Sequence, residues 1–162
     1  MERVSKENYY LDIAQTVAER ATCLRRKFGA IIVKNDVIVS TGYNGAPRGR
    51  KNCSDLGFCY RDKLNIPRGE RYEMCRSVHA EQNAVIAAPR DQMLGATLYM
   101  VCVSPTDGAV MGGVSSCMMC KRILLNAGIE KLVVRDTATE YRTIRVADWI
   151  EDDDSLNGKF GY

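Results

Sequence analysis

The only histidine of the chain, His79, stands in Ser77-Val78-His79-Ala80-Glu81-Gln82-Asn83-Ala84, and Ser116-Cys117-Met118-Met119-Cys120-Lys121 follows further on. One imidazole, two thiols in a Cys-x-x-Cys and a carboxyl two residues past the histidine suit metal-assisted hydrolysis. Catalytic Zn²⁺ is commonly held by three protein ligands, with the fourth position left for a water whose pKa the ion lowers. His79, Cys117 and Cys120 supply those three. If the two cysteines open a helix, their sulfurs lie on one face and can share an ion. Glu81 is then left as an unligated carboxyl that can move protons. Alone, a Cys-x-x-Cys fits a structural knuckle or a redox pair equally well, and a His-x-Glu says almost nothing. Together, with the sole imidazole in place, they favour a catalytic zinc.

Such a site needs two helix starts held side by side. Val78 to Ala88 is rich in helix formers and Pro89 ends it, with Ser77 as the expected N-cap. His79 and Glu81 then fall in its first turn. A second helix is expected from Cys117 to Ala127, stopped by Gly128. Asn8 to Thr22 carries Leu11, Ile13, Ala14, Val17, Ala18 and Ala21 on one stripe and reads as an amphipathic helix. Phe28–Lys34 and Val37–Tyr43 are β-branched runs around Asn35-Asp36, a hairpin pattern. Ala96–Val103, with Cys102 as a core residue, Ile129–Arg135 and Tyr141–Val146 read as further strands, and Ala147–Ile150 as a short helical turn. This order predicts an α/β fold in which both ligand motifs start helices beside strand ends, a common place for ligands in open sheets.

Two stretches have no periodicity. Thr41-Gly42-Tyr43-Asn44-Gly45-Ala46-Pro47 reads as a sharp turn presenting Asn44. Arg48 to Arg76 is long for a structureless loop and carries Cys53, Cys59 and Cys75. With Cys23 these thiols could close a second, structural zinc site, or else serve as small buried apolar groups. Ser104 to Ser115, with three glycines, is a flexible connection.

A chain of 162 residues with 46% hydrophobic and 27% charged residues suits a single domain, here 1–150, followed by an acidic tail, 151–162. A net charge of +3 does not favour a nucleic-acid platform, and no stable nucleic-acid partner is expected. The sequence has neither a signal-like start nor a membrane-spanning apolar run, so a cytoplasmic protein with reduced thiols is expected.

The His79-Ala80-Glu81 and Cys117-x-x-Cys120 motifs resemble those of the cytidine and deoxycytidylate deaminase superfamily. Phe28-Gly29-Ala30-Ile31-Ile32-Val33, Thr41 to Pro47 and Cys75 to Ala84 are similar to its deoxycytidylate (dCMP) branch. The resemblance covers roughly residues 8 to 135. It implies a three-layer α/β/α cytidine-deaminase-like sandwich with a mixed sheet of about five strands, and zinc-dependent conversion of dCMP and water to dUMP and ammonia. It implies zinc on His79, Cys117 and Cys120, Glu81 as proton shuttle, and Asn44, Ala80 and Arg25 as substrate contacts, Arg25 for the 5′-phosphate. Cys23, Cys53 and Cys75 fall where related enzymes carry cysteines, some of which hold a second zinc, with Cys59 as fourth ligand. A homo-oligomer, often a hexamer, and control by dCTP and dTTP also belong to the family.

The chain departs from the family pattern in two places. Ser116 stands where the family usually has proline, and the Ser104 to Ser115 connection is longer than usual. The same machinery would also serve a cytidine, guanine or tRNA-adenosine deaminase. A non-catalytic zinc scaffold for nucleic acid is the reading from another class. The modest charge and the unligated Glu81 weigh against it.

Overall fold

The computed structural model describes residues 1–156. In chain order it contains α1 (Lys6–Ala18), β1 (Lys27–Lys34), β2 (Val37–Tyr43), α2 (Cys53–Leu56), α3 (Tyr60–Lys63), α4 (Ala80–Ile86), α5 (Arg90–Met93), β3 (Thr97–Val103), α6 (Met118–Ala127), β4 (Lys131–Arg135), β5 (Tyr141–Arg145) and α7 (Asp148–Glu151). Short 3₁₀ turns lie at Tyr72–Met74 and Asp154–Leu156.

The strands form one sheet in the order β2-β1-β3-β4-β5. It is mixed: β3 and β4 run parallel, joined through α6, and every other pair is antiparallel. The hairpin turns at Asn35 and Asp36, whose φ angles of 51° and 62° have the left-handed sense that matches the strand twist. Alternation along the strands separates two cores. Phe28, Ala30, Ile32, Leu98, Met100, Cys102, Leu132 and Val134 face Ala80, Ala84 and Leu124 of α4 and α6. Ile31, Val33, Tyr99, Val101, Val103 and Val133 face Tyr10, Leu11, Ala14 and Ala18 of α1. The result is the expected three-layer sandwich on five strands. Glycines let the outer layers approach closely. A Cβ on Gly29 would lie 2.0 Å from the Ala14 carbonyl oxygen of α1, and one on Gly42 would lie 2.3 Å from that of Ala80 in α4.

Several boundaries differ from expectation, each for a tertiary reason. The first helix stops at Ala18, not Thr22, because the Thr22 N–H is drawn to the Asn44 carbonyl at 3.1 Å. The helix expected from Val78 begins at Ala80, capped by His79 and not by Ser77, because Val78 is held in a two-way backbone bridge with Gly45 (2.7 and 3.2 Å). Pro89 ends α4 and also leads into α5, which was not expected. Arg48 to Arg76 holds α2, α3 and a 3₁₀ turn, organised around Arg61, a cation only 4% exposed. Its guanidinium donates to the carbonyls of Glu70 (2.6 and 3.1 Å) and Pro67 (2.9 Å). The acidic run from Glu151 to Asp154 is exposed, as expected, and Asp154 pairs with Lys121 at 3.4 Å. The end of the expected tail, residues 157–162, lies outside the described residues. Among the described residues no helix is long and apolar enough to cross a membrane.

Candidate active site

His79 and Cys117 are both N-cap residues, extended in backbone (φ −73°, ψ 156° and φ −67°, ψ 165°), at the heads of the neighbouring helices α4 and α6. The His79 N–H donates to the Gln82 side chain at 2.8 Å, closing the first turn of α4. Cys117 Sγ accepts from the Cys120 N–H at 3.5 Å, which holds the Cys117 sulfur against the first turn of α6. The helix heads therefore place His79 Nδ1 3.6 Å from Cys117 Sγ and 3.4 Å from Cys120 Sγ. Among the described residues this is the one group of three such side chains whose ligand atoms all lie within 4.8 Å of one another. Tetrahedral Zn²⁺ with Zn–S of about 2.3 Å and Zn–N of about 2.0 Å spans an S···N edge of roughly 3.6 Å. The three donors fit that ion.

Their electrostatics suit a cation as well. Hydrogen bonding with the Cys120 thiol, aided by His79, outweighs burial and holds Cys117 down at about 4. The Cys117 sulfur and burial push Cys120 well up, so the bare pair shares one negative charge. Burial would lower His79, but the Cys117 and Cys75 thiols and the Glu81 carboxyl raise it to about 10. A dication bound among them takes the place of these protons.

Glu81 lies one residue inside α4 and is 5% exposed. Burial raises its pKa; the nearby His79 and a hydrogen bond from the Ser116 hydroxyl to Oε2 at 2.9 Å act the other way. A carboxyl so placed holds its proton more readily than one in water. It lines a pocket with Phe28, Asn44, Tyr72 and the cations Arg25, Arg26 and Arg61. The Asn44 amide is fixed at both ends, Oδ1 accepting from the Phe28 N–H at 2.8 Å and Nδ2 donating to the Arg26 carbonyl at 2.9 Å.

Other expected residues are placed less simply. Arg25 lines the pocket but also pairs with Asp62 at 3.3 Å. Ala80 is fully buried and its methyl belongs to the core under the sheet, so its side chain is not a pocket wall. Cys23, Cys59 and Cys75 line the pocket and Cys53 is buried, but among the described residues they form no group as tight as the first. Burial and then the Cys23, Cys59 and Cys75 thiols push Cys53 up. Burial acts upward on Cys75 too, but the His79 ring and the Ser77 N–H outweigh it and hold that thiol below its ordinary value.

Sequence reasoning missed Arg61 and Tyr72. The Arg61 guanidinium lies 4.6 Å from the centre of the Tyr72 ring, and the Tyr72 and His79 rings are T-shaped to each other with their centres 5.3 Å apart. Both come from the aperiodic stretch, where no pattern marks a wall residue. Ser116 stood out only as a departure from proline.

The family described as the cytidine and deoxycytidylate deaminase zinc-binding region matches residues 4–136. A deoxycytidylate deaminase of Mycobacterium phage D29 is 35% identical over 138 residues, covering 82% of this chain and 96% of its own. A deoxycytidylate deaminase of Schizosaccharomyces pombe is 30% identical over 131 residues, covering 81% of this chain but only 37% of the longer yeast protein. The crystal structure of the dCMP deaminase of cyanophage S-TIM5 in complex with dCMP and dUMP superposes with a TM-score of 0.53 at 25% identity, covering 83% of this chain and 85% of the other. With the metal-fitting triad, the buried glutamate and the mixed five-stranded sheet in place, the chain belongs to the zinc-binding cytidine and deoxycytidylate deaminase family.

Proposed function

We propose that the chain hydrolyses dCMP to dUMP and ammonia. The observation that carries this reading is the meeting of His79, Cys117 and Cys120 beside a buried, unligated Glu81 at a pocket with three cationic walls. His79 Nδ1 and the sulfurs of Cys117 and Cys120 would hold the zinc. When bound, zinc supplies the Lewis acidity that makes water a nucleophile near neutral pH.

Glu81 takes a proton from the attacking water, passes one to N3 of the ring and delivers one to the departing amine, as base and then acid. Its raised pKa suits both roles. Phe28 gives the base an apolar wall, and the fixed Asn44 amide offers its remaining N–H to the nucleotide. Ala80 contributes through its backbone at the helix start. Arg25, which lines the same pocket as Arg61, supplies the cation that a 5′-phosphate needs. The relatives' names and the dCMP-bound neighbour support this substrate over cytidine, guanine or tRNA adenosine. An apolar surface of Val85, Met119, Ile123 and the 76% exposed Ile86 supports a homo-oligomer.

The test is ammonia release from dCMP, deoxycytidine, guanine and tRNA by the wild type and Glu81→Gln, with zinc counted in both. The expected result is turnover of dCMP by the wild type and a loss in kcat of at least about a hundredfold in Glu81→Gln at unchanged catalytic zinc. Zinc-loaded wild type that leaves dCMP unchanged would sink the proposal. A count of two zincs per chain, falling to one in Cys53→Ser, assigns the second ion to Cys23, Cys53, Cys59 and Cys75; a count of one removes it.

A further inference from the structure

Ser116 is 1% exposed and is absent from the pocket lining, where its neighbour Ser115 appears. Its hydroxyl donates to Oε2 of Glu81 at 2.9 Å, with both groups buried. It therefore sits behind the carboxyl and not against a ligand. We propose that Ser116 is a positioning residue for Glu81: it anchors one carboxyl oxygen so that the other exchanges protons with the reacting groups. This rests on the deaminase reading, in which Glu81 is the shuttle.

A glutamate side chain has a broad terminal torsion, and α4 fixes only its root. A shuttle must reach two different proton positions within hydrogen-bond distance, and misplacement by about 1 Å costs on the order of a hundredfold. A hydroxyl has one donor and two acceptor lone pairs. It can donate to Oε2 while Glu81 is ionised and go on donating there when the proton sits on Oε1. The proton enters and leaves through Oε1, and the serine keeps its own. Proline, the usual residue of the family here, has no donor and can do neither. The hydroxyl reaches Glu81 because Ser116 immediately precedes the N-cap of α6, while Glu81 lies in the first turn of the neighbouring α4.

Ser116→Ala and Ser116→Thr in the full, zinc-loaded chain test this. Ser116→Ala is expected to stay folded and keep its zinc and to lose about tenfold in kcat, with KM for dCMP within about twofold. Ser116→Thr, which restores the hydroxyl, is expected to return most of that kcat. In the metal-free protein, difference infrared spectra against Glu81→Gln isolate the Glu81 carboxyl band. This band is expected to shift in Ser116→Ala and to return in Ser116→Thr. Wild-type kcat in Ser116→Ala, a loss seen in KM or zinc content instead, or a folded Ser116→Thr as slow as the alanine variant each overturns the proposal. If the wild type itself does not turn over dCMP, the deaminase reading fails. The infrared band then decides on its own, and an unshifted band in Ser116→Ala overturns the anchoring.

Discussion

Replacing Gly42 by alanine should damage the metal site without touching any residue in it. The added Cβ would lie 2.3 Å from the Ala80 carbonyl oxygen, 2.5 Å from the Ala84 nitrogen and 3.0 Å from the Asn83 carbonyl carbon. All three are backbone atoms of α4, so no side chain can swing aside. Ordinary contact begins near 3.4 Å, so the helix must retreat from β2 by about 1 Å in an interior packed too tightly to absorb it. Overpacking of this kind costs about 3 kcal/mol. Because α4 starts just after His79 and carries Glu81, the same retreat lengthens the Nδ1–Sγ distances of 3.4 and 3.6 Å. A metal site tolerates roughly 0.2 Å, so zinc affinity and kcat should both fall on the order of a hundredfold. Denaturant midpoints, zinc competition against a chromophoric chelator and dCMP turnover measure the three effects. Two controls separate the causes. Gly29→Ala makes an equal clash against α1, 2.0 Å from the Ala14 carbonyl oxygen, and should destabilise the fold while leaving zinc affinity alone. Gly49→Ala meets nothing within 4 Å but has φ of +88°, so it should cost only about 1 kcal/mol. A Gly42→Ala protein with wild-type stability and zinc affinity would refute the reasoning.

Two further perturbations test the opposite face of the sheet. Arg135 has a side chain 3% exposed and reaches Asp12 at 2.8 Å, Gln15 at 2.9 Å and the Asn8 side chain at 2.9 Å, tying β4 to α1. Arg135→Ala should cost about 2 to 3 kcal/mol in equilibrium denaturation, with kcat of the folded protein unchanged; a loss below about 0.5 kcal/mol would show that the tie is not needed. Tyr10 donates a hydrogen bond to Asp36, which with burial pushes its pKa from 10.0 up to about 12. A folded pKa above the unfolded one favours the protonated form. The contribution is therefore complete below pH 10 and lost as pH rises towards 12. Midpoints of wild type and Tyr10→Phe should converge across that window, and a constant difference would refute the assignment.

Legibility followed locality. Runs of β-branched and apolar residues are a local signal, and the five strands lie within about two residues of where those runs place them. So does α6, because a glycine with φ of 80° stops it immediately after Ala127. The chemistry of the site was also readable, since residue type and spacing identify a His-x-Glu and a Cys-x-x-Cys before any folding. The start of α4 was not readable, because Val78 is a fair helix residue until Gly45, from a distant turn, takes its backbone groups. Nor were Arg61 and Tyr72, whose segment has no period and is organised by a buried guanidinium bonded to carbonyls.

By itself, the sequence determined which side chains could hold a metal and move a proton, along with the family pattern and the strand and helix content, because these depend on residue identity and short-range periodicity. Only the tertiary structure decided that His79 and Cys117 cap adjacent helices with their ligand atoms at tetrahedral spacing, that Ser116 backs Glu81, and that Arg61 joins the pocket wall. The position of α4, and with it of His79 and Glu81, depends on Gly42 and on the Gly45–Val78 bridge, which let distant backbones meet, and no local preference specifies such a meeting.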